Sequence, residues 1–168
     1  MKQTSLPVLE KNWHFTMNKQ LLTKINLPDT AVVVDVGAGD GKRNKHLWKH
    51  NYQGVDLNVE TDNVFKGDAT VYLQGFAPNY ADLLISEYSI QFMKKPQYVA
   101  ALMRKALKVG GYLYLTTFEE ELTTQDVLNM AMGMELIYFS KEKVLDPPHK
   151  GMPEEHEHTV MEVLARKV

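Results

Sequence analysis

Cysteine is absent from the 168 residues. That excludes disulfides, a thiolate nucleophile and any cysteine-ligated metal site, and it fits a reducing compartment, so a cytoplasmic protein is expected. An excess of either charge is also missing. The formal net charge is −2, too small to suggest a nucleic-acid or acidic-membrane partner. No apolar run reaches membrane-spanning length, and the start, Met1 to Pro7, lacks the apolar stretch of a signal peptide. Internal repeats and low-complexity segments are lacking too. What remains is an ordinary hydrophobic fraction, 44%, in a length that suits one domain spanning 1–168.

Strand-like runs alternate with helical patterns along that length. Leu9 to Ile25 is weakly helix-patterned and ends at Pro28 and Asp29. It forms an N-terminal segment, 1–30. Trp13, His14 and Phe15 within it could make a lid, although a docked amphipathic segment is the simpler reading. Ala31 to Val36 is a continuous β-branched run, as in a strand buried on both faces. Lys42 to His50 follows as a helix. Strands are expected at Tyr52–Asn58, at Asn63–Ala69 and at Leu83–Ser86. A helix runs from Pro96 to Leu107, stopped by Val109-Gly-Gly111, and a strand from Tyr112 to Phe118. Thr123 or Thr124 can cap a helix reaching about Met132. Met134–Glu142 and His158–Lys167 close the chain as two strands.

This order predicts an α/β fold: a Rossmann-like, mostly parallel seven-stranded sheet with helices on both faces. The last two strands lack an intervening helix and should form an antiparallel pair at one edge. Too few residues separate Asp56 from the third strand for a crossover helix. Either that strand is rudimentary or an extended loop makes the crossover. Residues 146–158, "DPPHKGMPEEHEH", hold three of seven prolines and three of six histidines and are expected to be an internal loop.

The densest signal is "VVVDVGAGDGKRN", Val32 to Asn44. Gly37, Gly39 and Gly41 sit at alternate positions straight after the buried strand. Ligands of open parallel sheets bind at the carboxyl ends of strands near the topological switch point, and the loop leaves the first strand there. A dinucleotide fingerprint spaces its glycines G-x-G-x-x-G; here the third comes one residue early. Asp35, two residues before Gly37, sits poorly beside a pyrophosphate and well beside an ammonium or sulfonium. The loop therefore points away from NAD and toward S-adenosylmethionine.

"VVVDVGAGDGKRNKHL" resembles the first motif of class I S-adenosylmethionine-dependent methyltransferases, and later segments fall in the matching order. The resemblance implies a donor site built from Asp35, Gly37, Ala38, Gly39, Asp56, Leu57, Asp68, Ala69 and Glu87. Within it, Asp56 of "GVDLN" would bind both ribose hydroxyls. Asp68 of "KGDA" would approach the adenine amino group, with Ala69 supplying backbone. "DLLISEYSIQFM" would line donor and substrate, and "LKVGGYLYLTTF" matches the fifth-strand motif. The ending, "PPHKGMPEEHEHTVMEVLARK", is similar to small tellurite-resistance-type methyltransferases, which implies a compact acceptor such as an oxyanion or small metabolite.

Ordinary roles compete for the same residues. Asp56 could be a turn residue and Asp68 a loop residue. Tyr88, His149 and His158 are the candidates for work on the acceptor, with Arg43 and Lys150 as possible oxyanion partners. His149, His156 and His158 lie among carboxylates, and His-x-His spacing would put two on one strand face. A Pro-rich solvated loop explains them more simply, so no metal is expected. The segment "SEYS" after the fourth strand, in place of Asn-Pro-Pro-aromatic, argues against DNA amino-methylation, and the lack of cysteine removes covalent attack on a pyrimidine carbon. The expectation is methyl transfer to a small molecule by a monomer or homodimer. The alternative is a non-catalytic S-adenosylmethionine binder with regulatory or scaffold duties; a nucleotide-binding oxidoreductase is weaker.

Overall fold

A computed structural model of the protein describes residue 21 and residues 25–148 and 151–168. The candidate lid, Trp13, His14 and Phe15, and the candidates His149 and Lys150 lie outside the described residues. Seven strands form one sheet: β1 (Val32–Val36), β2 (Asn51–Asp56), β3 (Val64–Lys66), β4 (Ala81–Glu87), β5 (Leu107–Phe118), β6 (Glu135–Asp146) and β7 (His156–Arg166). Their order is β3-β2-β1-β4-β5-β7-β6. β3 through β5 are parallel, and β7 runs antiparallel to both β5 and β6. The mostly parallel sheet with an antiparallel edge pair is as expected. Chain order reverses between β1 and β4, which makes their carboxyl ends the switch point.

The central strands are apolar because both faces are covered. Val33, Leu83, Ile85, Tyr114 and Leu164 pack on one side with Leu21 and Leu47. Val34, Val36, Leu84, Leu113 and Leu115 pack on the other. That second face carries helices α1 (Ala69–Gln74), α2 (Pro96–Ala106) and α3 (Thr124–Met130), through Leu73, Val99, Met103, Val127 and Met130 among others. Pro96 opens α2, where its missing N–H costs nothing. Thr123 caps α3 in a capping box with Asp126.

Several local expectations change. Lys42–Leu47 is a 3-10 turn rather than a longer helix, interrupted at Asn44. The third strand stops at Lys66, and α1 follows it, capped by Asp68. Residues 57–63 join β2 to the parallel β3 as an extended loop, and β3 is indeed short. Three residues span only about 10 Å, so a brief loop can return the chain. β5 starts at Leu107 and takes the Gly110–Gly111 pair into the sheet, with a register shift against β4 between Ala81 and Leu83. The closing hairpin also reaches into the segment expected to be loop. Asp146 pairs with His156 and Val144 with His158, because ladder bonds between the two strands hold residues whose side chains alone suggest solvent.

Candidate functional site

A cavity of about 1000 Å³ opens at the carboxyl ends of β1, β2 and β4. Every donor-site residue expected from the sequence lines it: Asp35, Gly37, Ala38, Gly39, Asp56, Leu57, Asp68, Ala69 and Glu87, with Tyr88 beside them. His158 does not.

The glycine loop forms one wall. Gly37 and Ala38 donate their N–H groups to Val55 O, at 2.8 and 3.1 Å, which fastens the loop to β2. Gly37 has φ +74°, and a Cβ there would fall 2.2 Å from Ser89 Oγ, so two separate constraints demand glycine. Ser89 in turn donates to Val36 O at 2.9 Å. Gly39 differs. Its φ is +58°, and a Cβ would meet nothing within 4 Å; the missing side chain leaves open space at the cavity wall.

Asp35, the penultimate residue of β1, lines the cavity and is 2% exposed. Its Oδ2 accepts hydrogen bonds from Tyr52 Oη at 2.6 Å and Asn44 Nδ2 at 2.8 Å; neither goes to Oδ1. Burial raises its carboxyl pKa, against the opposing effect of those two donors and of Arg43. Burial also raises the Tyr52 hydroxyl far above its usual value, with Asp35 adding to the effect, so Tyr52 remains a donor. Neither Tyr52 nor Asn44 carried a sequence signal as a support for Asp35, since each comes from an element that only the fold brings alongside.

Asp56, at the end of β2, accepts Gly39 N–H on Oδ2 at 3.0 Å and Asn58 and Val59 N–H on Oδ1 at 2.9 and 3.1 Å. A carboxylate offers about four acceptor positions; three are used to tie the glycine loop to the β2–β3 loop. Asp68 caps α1, its Oδ1 accepting Thr70 and Val71 N–H at 2.8 and 3.1 Å. The turn and capping roles weighed for these two acids are therefore present, and both residues still face the cavity.

Across the cavity, buried Glu87 ends β4, 3.6 Å from Arg43. Tyr88 takes φ +52°, a strained value for an aromatic residue. Its N–H donates to Thr116 O at 2.9 Å, its ring stacks on Phe118 at 5.2 Å, and the Arg43 guanidinium lies 5.3 Å from the ring centroid. Burial raises its hydroxyl pKa, so it is a neutral phenol at physiological pH. Phe92 and Leu57, both well exposed, add apolar surface to the cavity lining. Among the described residues, five carboxylates line the cavity (Asp35, Asp40, Asp56, Asp68, Glu87) against three cations (Lys42, Arg43, Lys94). Such a balance repels a pyrophosphate and suits a ligand with cationic centres.

A sequence model described as a methyltransferase domain matches residues 34–115. No curated protein matches the chain significantly. Among solved structures, a SAM-dependent methyltransferase from Methanosarcina mazei aligns with TM-score 0.69 and 14% identity, covering 92% of this chain and 99% of its own. A SAM-dependent methyltransferase from Aquifex aeolicus gives 0.65 and 15%, covering 94% and 93%. The [4+2]-cyclase SpnF gives 0.64 and 16%, covering 88% and 78%. The architecture is thus that of class I methyltransferases. One of these fold neighbours bears the name of a cyclase, so the fold by itself does not fix the reaction.

Proposed function

We propose that the protein binds S-adenosylmethionine in this cavity and transfers its methyl group to a small acceptor. The observation that carries the proposal is the acid-rich, glycine-walled cavity at the switch point, together with the methyltransferase-domain match over 34–115. Ligand pockets commonly measure ~300–1000 Å³. A cavity at the top of that range has room for a nucleoside donor and a compact acceptor.

In this reading Asp35 holds the methionyl ammonium through Oδ1, the oxygen that Tyr52 and Asn44 leave to the cavity. Gly39 lets the ligand lie against backbone. Asp56 offers its remaining acceptor position to the ribose, one hydroxyl rather than a fully bidentate pair unless a backbone bond yields. The Oδ2 of Asp68 and the backbone of Ala69 sit at the adenine end with Leu57 and Phe92. A sulfonium methyl is already activated, so the chain contributes mainly placement, worth up to ~7–11 kcal/mol in favourable systems. Glu87, Tyr88 and Arg43 meet where acceptor and methyl would face one another. Arg43 supplies the cation that an oxyanion acceptor needs, in keeping with the similarity of the chain's ending to tellurite-resistance-type enzymes. Tyr88 can donate to such an acceptor but, with its raised pKa, is a poor base.

Radiolabelled methyl transfer to a panel of small oxyanions, thiols and amines, after calorimetric titration with S-adenosylmethionine, tests both halves. Binding with turnover supports the proposal. Binding with no transfer to any acceptor favours the non-catalytic alternative, and no binding refutes both.

A further inference from the structure

Outside the cavity, the described residues hold a cluster of metal-ligating groups on the closing hairpin. His156 and His158 project from one face of β7, two residues apart, and Asp146 stands opposite His156 on β6. His156 Nε2 lies 3.3 Å and His158 Nε2 3.5 Å from the same atom, Asp146 Oδ2. All three side chains are more than three-quarters buried. We propose that Asp146, His156 and His158 bind a divalent transition metal of the zinc class.

Three features carry this assignment. The first is spacing. Ligand atoms ~2.0–2.1 Å from a tetrahedral zinc stand about 3.3 Å from one another, close to the two separations found. The second is orientation. His156 Nδ1 lies 3.1 Å from the carbonyl oxygen of Glu154, which can only accept, so Nδ1 is the donor of that contact and Nε2 is the nitrogen turned to Asp146. His158 Nδ1 is turned toward Glu120 Oε1, at 3.6 Å. Glu120 is itself held by Thr159 N–H at 3.1 Å. Outer oxygens that fix the far nitrogen of a histidine are the usual support of a metal ligand. The third is chemistry. Ligand atoms of two imidazoles and one carboxylate all lie within 4.8 Å of one another, an arrangement that a single cation can bridge. The donor set, two imidazoles and one carboxylate, suits zinc.

The location gives the site a neighbour. β5 ends at Phe118, which pairs with Val160, so the hairpin overhangs the sheet edge on which the cavity opens. The His158 ring lies 4.8 Å from that of Phe118, which stacks on Tyr88. A metal here is thus joined to the cavity by a column of three rings. Three protein ligands leave one tetrahedral position for water or another Lewis base.

The assignment is independent of the cofactor. Its test is calorimetric titration of the chelator-treated full chain with zinc chloride, followed by cobalt(II) substitution. One equivalent of zinc should bind, and the cobalt form should show the visible bands of tetrahedral coordination. Asp146→Asn, His156→Gln and His158→Gln, each checked for native circular dichroism, should each weaken zinc at least tenfold. No stoichiometric binding by the unaltered chain would overturn the proposal whatever the variants do. Equal binding by folded variants would do the same and leave an ion-pair cluster only.

Discussion

Asp35→Asn separates the two things this carboxylate is expected to do. The substitution keeps shape and leaves an oxygen that can accept from Tyr52 and Asn44, which both donate to Oδ2. It removes the charge and turns an amide toward the cavity. A hydrogen bond to a charged partner is worth about 1.5–3 kcal/mol, so S-adenosylmethionine should bind roughly ten- to a hundredfold more weakly. Stability should move the opposite way. Burial lifts the Asp35 pKa above its unfolded value, so the native state holds that proton more tightly than the unfolded chain does. The resulting stabilisation is complete below the unfolded pKa and is lost as pH rises through the folded one. At neutral pH the ionised form is a cost, and asparagine removes it. Melting curves from acidic to neutral pH, paired with calorimetry, check both halves. The variant should melt no lower than the parent at neutral pH and lose this group's part of the pH slope. Unchanged affinity would refute contact with the ligand; a lower melting temperature would refute the account of burial.

Asp56→Ala should weaken donor binding tenfold or more by calorimetry, and should also lower stability, because Gly39, Asn58 and Val59 lose an acceptor. Gly39→Ala should cost about 1–2 kcal/mol in denaturant unfolding from its positive φ alone, while abolishing measurable donor binding; Gly37→Ala, which also meets Ser89, should unfold at clearly lower denaturant than Gly39→Ala. Thr123→Ala removes the cap of α3 and should cost about 1 kcal/mol with donor affinity unchanged in the same titration.

Much of this was legible in the sequence because the informative signals were local. A β-branched run followed at once by alternating glycines can hardly be placed anywhere but at a strand end, and Asp56 and Asp68 lie close after apolar stretches. The short helix α1 was hidden because Val71 and Tyr72 favour strands; the sign that could have found it was Asp68 as an N-cap two residues ahead of Thr70. Supports from distant elements were not legible. Tyr52 reaches Asp35 only because β2 lies beside β1, and Ser89 fills the space Gly37 leaves only because β4 flanks β1 on the other side. Composition misled at the histidines: a Pro-rich, charged stretch suggested solvent, whereas strand pairing draws His156 and His158 into a largely buried cluster.

The two regions of the sheet must also come together on different terms. β6 and β7 are neighbours in the chain and close over a short span, so their pairing loses little loop entropy. β1 has to find β4 some fifty residues on, and only that meeting creates the cavity. A folding chain would therefore complete the histidine–aspartate cluster before it possessed anywhere to hold a nucleoside. Deuterium exchange should find the parallel half the first to open when that crevice stands empty, and the half most slowed when it is filled.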